Sequence, residues 1–274
     1  MTALAALGRG LHDASLMALF GSACLLALLT VKVPELAFEG QGLALGRRIA
    51  ALMALASAPI WLMGRPNAMS WMATTFAGRI LLARFVLLVL LVAAVWLGRT
   101  RITAWLSGAG LGLIAATSHA AGASPRGFAP IGATNDGLHL LTAAYWVGGL
   151  CVLVAMLGER PKAARLQEAV ALFAEWGMVA VALLVMTGMV NAAMVLLGSP
   201  GPDDVLYAGV LALKIILAFT MIGLALTNHF RLLPRLGQQG TATLLRNRAG
   251  WELRLGLAVI GLAALLNLLP PTYQ

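Results

Sequence analysis

The chain has 274 residues, of which 61% are hydrophobic and only 11% are charged, and its mean hydropathy is +0.90. A soluble domain is close to half apolar and a quarter charged, so this composition excludes an ordinary soluble protein and indicates an integral membrane protein. The net charge of +9 does not indicate a partner nucleic acid, because the basic residues lie between apolar runs and not in one patch or beside a nucleic-acid-binding motif.

Apolar runs follow one another along the whole chain. We predict eight transmembrane helices, each near the ~20 residues that cross a lipid bilayer. They form one membrane domain over residues 1–274 with an all-α fold, a polytopic transmembrane helical bundle. No cleavable signal peptide is expected, because the first apolar run continues for spanning length. The predicted spans are 11–33, 45–64, 79–98, 102–122, 135–157, 167–197, 205–230 and 249–269.

The basic residues between these spans are distributed unevenly. Cytoplasmic loops of membrane proteins carry an excess of Lys and Arg. One set of loops holds most of these residues, whereas the opposite set holds few of them and also carries Asp203 and Asp204. We therefore predict that both termini face outward, which is the periplasm in a Gram-negative host.

Three of the four histidines are predicted to share the outer boundary of the membrane, although they come from three helices. His12 opens the first span and His139 opens the fifth. His119 lies roughly 27 Å along an outward-running helix, at 1.5 Å per residue. His229 is the exception, at the inner end of the seventh span. The alternative interpretation is that these histidines are amphipathic anchors that share a level by chance.

The fifth span begins with an acid and a histidine at the mouth of an apolar segment. Asp136 and His139 are three residues apart, so they share one face of a helix and a cation can contact both. Charged and imidazole groups at a membrane helix end are by default a functional hypothesis; the alternative is an interfacial cap. Further along, Gly148 and Gly149 are expected to let a neighbouring helix come close.

Two charged residues are predicted near the middle of the membrane. By helical rise, Glu175 lies roughly 12 Å above the inner boundary and Lys214 roughly 14 Å below the outer one. Pairing is the commonest way in which such charges are tolerated, so we expect them to meet across spans six and seven. A structural pair is favoured over a proton-coupled or gating pair.

The order and spacing of these residues and several others resemble the pattern of a known family. The chain is similar to the copper resistance D family of bacterial inner-membrane proteins. The resemblance rests on Leu11-His12, Gly21, Ser118-His119-Ala120, Asp136, His139, Trp146 to Leu150, Thr187-Gly188, Asn191, Tyr207, Leu213-Lys214, Asn228, Leu233-Pro234, Glu252 and Leu269 to Pro271. His229 departs from the family pattern and is excluded from the predicted site.

The resemblance implies movement of copper from the periplasm to the cytoplasm. It also implies a partner, a small periplasmic copper-binding protein of the copper resistance C type. Imidazole suits both Cu(I) and Cu(II). His12, His119 and His139 therefore form a candidate three-nitrogen metal site, with Asp136 as a fourth ligand or as the group that orients an imidazole.

Other interpretations of the same residues remain open. Cys24 and Cys151 lie in apolar segments, where small buried residues are favoured over copper ligands, and the methionines are favoured as packing residues. No catalytic motif is present, so we expect no enzyme. The chief alternative is a b-type haem protein with His119 and His139 as axial ligands. A further alternative is a membrane copper-binding partner or copper sensor that does not transport.

Overall fold

The computed structural model describes residues 2–34, 40–62, 68–116, 129–159, 163–198, 205–267 and 269. Within these ranges the chain is helical and has no β-strand. The α-helices are α1 Thr2–Lys32, α2 Gln41–Ser57, α3 Ala68–Thr74, α4 Phe76–Trp96, α5 Thr100–Ala115, α6 Ala129–Glu159, α7 Ala163–Gly198, α8 Val205–Thr227 and α9 Thr241–Leu266. A 3₁₀ turn, Ala58–Leu62, follows α2. A π-helical turn, Asn228–Leu232, follows α8 and leads into a 3₁₀ turn, Leu233–Arg235.

Seven helices in the described ranges are long and apolar enough to cross a membrane. They coincide with seven of the predicted spans, so the predicted all-α polytopic fold is confirmed at this level. The remaining predicted span, 102–122, begins in α5, whose 16 residues end at Ala115. Residues 117–128 lie outside the described ranges, so the eighth span and the orientation of the termini stay predictions.

The centre of the bundle is the crossing of α1 and α6, which make the most extensive contact between any two helices in the described ranges. Gly21 and Gly148 meet there: a Cβ added to Gly148 would lie 2.7 Å from Gly21 Cα and 2.7 Å from Met17 O. A Cβ on Gly149 would overlap the Phe173 ring of α7. The predicted close approach of helices at the glycine pair is therefore confirmed. Small residues permit this approach where lipid provides no hydrophobic drive for helix association.

The outer helices present apolar side chains away from the bundle. Within α8 only Val210 and Met221 are buried, whereas Ile216 and Phe219 are exposed. Exposed apolar residues of this kind are expected for a helix that contacts lipid, because the bilayer core is itself apolar and each helix satisfies its own backbone hydrogen bonds.

The predicted Glu175–Lys214 pair is wrong. Helices α7 and α8 follow each other in the chain, but α7 packs chiefly against α6, and α8 packs chiefly against α9. Glu175 is exposed on α7. The Lys214 side chain, which is half-buried, instead interacts electrostatically with the Asp136 carboxylate of α6. The error came from treating sequential spans as neighbours.

Candidate metal site

His12 lies in the interior of the bundle and is held by two neighbouring helices. Its side chain is 0% exposed. The Nδ1 atom lies 2.9 Å from Ala54 O and 3.2 Å from Ser57 Oγ on α2, and Nε2 lies 2.7 Å from Arg84 Nη2 on α4. A guanidinium only donates hydrogen bonds, so Nε2 accepts from Arg84 and Nδ1–H donates to Ala54 O. Both ring nitrogens are therefore engaged, and His12 coordinates a metal ion only if Arg84 moves.

Beside His12 lies a buried carboxylate, Asp13, which is 8% exposed. Arg9 Nε lies 3.6 Å from Asp13 Oδ2, and Asp13 also interacts electrostatically with Arg84 and Asp136. Its Oδ1 atom is buried without a hydrogen bond. Asp13 is not among the predicted site residues, although an acid within the first predicted span is by itself a signal of a functional residue.

His139 faces α7, not the neighbours of His12. Its Nδ1 lies 3.0 Å from Thr187 Oγ1. The Thr187 hydroxyl donates to Leu183 O at 2.7 Å, so its oxygen is the acceptor for His139 Nδ1–H. This hydrogen bond fixes the neutral tautomer in which Nε2 carries the lone pair, as an outer partner does for a metal-binding imidazole. Gly188 makes room for the ring, because a Cβ there would lie 3.3 Å from His139 Cε1.

A short amide network joins this histidine to the aspartate on the same face of α6. Asn135 Nδ2 donates to Asn191 Oδ1 at 2.7 Å and to Thr187 O at 3.0 Å. Asn191 Nδ2 lies 3.5 Å from Asp136 Oδ1. Lys214 interacts electrostatically with both Asp136 and His139.

We call this assembly the carboxylate cluster; its members are Asp13, Asp136, His139, Thr187, Asn191 and Lys214. Four helices contribute to it. Two carboxylates and one imidazole meet three cationic groups there, since Arg9 and Arg84 act on Asp13. Mixed charges of this kind are how ionisable groups are tolerated inside a membrane protein.

The structure brings together some of the predicted site residues and not others. Asp136 and His139 belong to one cluster, whereas His12 contacts α2 and α4. His119 lies outside the described residues. Among the described side chains, no three His, Cys, Asp or Glu residues lie close enough to hold a metal ion. The site shared by three histidines therefore stays a prediction.

Two comparisons with known proteins bear on the family. A family model described as copper resistance protein D matches residues 167–266. A copper transport protein, CutJ of Bacillus subtilis (strain 168), is 29% identical over 143 residues, which cover 51% of this chain and 26% of that protein. Both findings support the copper resistance D family. The resemblance found in the sequence is confirmed, and the seven apolar helices together with this resemblance support a multi-pass membrane protein.

The copper resistance D match covers only part of the chain. The matched segment includes Thr187, Asn191 and Lys214 of the carboxylate cluster, whereas Asp13, Asp136 and His139 precede it. The chain spans about a quarter of the length of CutJ, 26%. No solved structure matches the chain.

Proposed function

We propose that the chain binds copper ions at the carboxylate cluster and helps transfer them through a bacterial inner membrane, from periplasm to cytoplasm. The family description and the printed name of CutJ, a copper transport protein, support copper as the cargo. The observation that carries the proposal is His139, whose Nδ1 is fixed by Thr187 at 3.0 Å. A ring held in this way presents Nε2 as a ligand, and Asp136 lies on the same helix face.

The charges of the cluster suit a copper ion that binds and leaves better than one that stays bound. Asp13 and Asp136 are at present compensated by Arg9, Arg84 and Lys214. Removing one partner of a buried ion pair costs several kcal/mol, because it leaves an uncompensated charge in a medium of low polarity. A copper ion that enters the cluster replaces part of this compensation, so Lys214 or Arg84 is free to withdraw. The ion leaves when the side chain returns.

The proposed direction of transfer follows from the family resemblance, and the distribution of basic residues predicts that the Asp136 end of α6 faces outside. A small periplasmic copper-binding protein of the copper resistance C type is the proposed donor. Imidazole and carboxylate accept Cu(II), and imidazole also accepts Cu(I). The role is transport, with no catalysed reaction.

The test is copper titration of the purified full chain, with Cu(I) and Cu(II) each competed against a chelator. His139→Ala and Asp136→Asn are expected to lower copper affinity at one site by at least tenfold, since each removes a donor or its orienting partner. Glu168→Gln is the matched control, because Glu168 is an exposed carboxylate far from the cluster in sequence. Unchanged affinity in both cluster variants would contradict the proposal.

Flux into copper-free liposomes then separates transport from binding. The wild-type chain is expected to admit copper, and His139→Ala to admit much less. Copper binding without flux would favour the non-transporting partner or sensor. A Soret absorption band in the purified protein would favour the haem protein.

A further inference from the structure

A second polar region lies further along α6, around a cavity of ≈ 60 Å³. Its walls come from α6, α7, α9, the end of α8 and the two short turns that follow α8, and most of the lining side chains are apolar. The polar side chains that line it are Trp146, Asn228, His229 and Glu252. We call it the glutamate cavity. A cavity of this size has room for an ion or a few waters.

Glu252 is 3% exposed and Asn228 is 7% exposed. Asn228 Nδ2 donates a short hydrogen bond to Glu252 Oε1, and the side chain of Trp146 is also hydrogen-bonded to Glu252. Both partners are neutral, and among the described residues no Lys or Arg forms an ion pair with Glu252. A buried carboxylate held only by neutral donors lacks a counter-charge.

Two further polar atoms of residues that line the cavity have no hydrogen-bond partner. Asn228 Oδ1 and His229 Nδ1 are both buried and unbonded. The large majority of buried polar atoms in native proteins are hydrogen-bonded, so an exception requires a reason, such as an ion. These two residues are consecutive and begin the π-helical turn Asn228–Leu232. Single π turns are rare in proteins and are frequent at functional sites.

We propose that the glutamate cavity is a second copper site, in which His229 Nδ1, the Glu252 carboxylate and Asn228 Oδ1 coordinate the ion. The choice of copper as the ion rests on the proposed function. The choice of the ligand atoms rests on the cavity itself. Met178 also lines the cavity, and its thioether favours Cu(I). The copper ion supplies the counter-charge that Glu252 lacks, and it binds two buried polar atoms that otherwise have no partner, with His229 in the tautomer whose Nδ1 carries the lone pair.

The position of the cavity places it in series with the carboxylate cluster. Trp146 follows His139 by seven residues, which is two helical turns and about 10 Å along α6. Residues seven apart lie on the same side of a helix. Copper that leaves the cluster at His139 therefore has a second set of donors further along the same helix.

The test measures copper stoichiometry of the purified full chain after equilibration with Cu(I) and with Cu(II). The wild-type chain is expected to bind two ions. His229→Ala and Glu252→Gln are each expected to lose one ion, with at least a tenfold loss of affinity at that site. Arg231→Gln is the matched control, since Arg231 is exposed in the same π turn, and it is expected to bind two ions.

His139→Ala separates the two proposals. Loss of one ion in His139→Ala but none in His229→Ala would overturn the cavity site and leave the carboxylate cluster intact. The reverse result would overturn the cluster and support the cavity. If His229→Ala unfolds, as its thermal unfolding midpoint would reveal, the decision passes to Glu252→Gln, which preserves the shape of the side chain. Two ions retained in folded Glu252→Gln would overturn the cavity site.

Discussion

The carboxylate cluster and the glutamate cavity lie along the same helix, yet their polar groups are satisfied in opposite ways. In the cluster, Asp136 and Asp13 lie among cationic side chains contributed by several helices. In the cavity, Glu252 has only neutral donors, and Asn228 Oδ1 and His229 Nδ1 have none. In the cluster each carboxylate already has a cationic partner, whereas the cavity has buried polar atoms without a partner.

This difference indicates that the number of charged groups in a membrane site does not by itself determine the affinity of the site for a cation. What matters is how many of those charges already have partners. A cluster whose carboxylates already have cationic partners must release one of these partners to accept a copper ion, so its binding is an exchange. In the cavity, the buried polar atoms without a partner have already lost their contact with water. An entering ion binds them without displacing a cationic side chain. We therefore expect the cavity to bind copper more tightly than the cluster.

The glycine crossing joins α1, which carries Asp13 of the cluster, to α6, which carries Asp136, His139 and the cavity residue Trp146. Gly148→Ala is expected to give the largest effect. Its Cβ would lie 2.7 Å from Gly21 Cα, and overpacking of this kind costs about 1–3 kcal/mol. The expected result is a lower thermal unfolding midpoint in detergent and loss of copper from both regions.

Gly223→Ala is the matched control for that variant. It also adds a methyl group within a membrane helix, but a Cβ at Gly223 meets nothing within 4 Å. Its unfolding midpoint is expected to equal or slightly exceed that of the wild type. Equal stability of Gly148→Ala and Gly223→Ala would show that the crossing does not hold the two regions in place.

The helices, the glycine crossing and the shared face of Asp136 and His139 could be predicted from the sequence, because hydropathy and helical periodicity are local properties. The contacts of His12 with Arg84 could not. They depend on which helices become neighbours, and no periodic pattern encodes that choice. The same cause explains the wrong pairing of Glu175 with Lys214.

The glutamate cavity shows a further limit. In the sequence, only the family resemblance points to Asn228 and Glu252, and His229 departs from the family pattern. An unbonded acceptor is a property of the packed structure: it exists only where neighbouring side chains fail to supply a donor. Residue type and spacing alone therefore cannot reveal it.

A change in the orientation of the His139 ring is expected to have a smaller effect, and one that is confined to the carboxylate cluster. Thr187→Val removes the oxygen that accepts from His139 Nδ1 while nearly preserving the shape of the side chain. Loss of an outer partner of a metal-binding imidazole typically lowers affinity 10–100-fold, so we expect about a tenfold loss at the cluster and none at the cavity. The control is Thr220→Val, whose hydroxyl bonds its own helix at Ile216 O in an exposed position. Copper titration that finds equal affinities for the two variants would contradict the role of Thr187.

The smallest expected effect concerns the partner of Lys214, and a double-mutant cycle measures it. Lys214→Met is combined with Asp136→Asn in one cycle and with Glu175→Gln in another, and the free energy of unfolding is followed in each. Because Lys214 interacts electrostatically with Asp136, the first cycle is expected to give a coupling energy of about 1 kcal/mol, within the range for neighbouring residues. Glu175 is exposed on a helix that does not pack extensively against α8, so the second cycle is expected to be additive to within about 0.5 kcal/mol, as for independent sites. A larger coupling to Glu175 than to Asp136 would restore the pairing expected from the sequence, and it would remove Lys214 as the cationic partner of Asp136 in the carboxylate cluster.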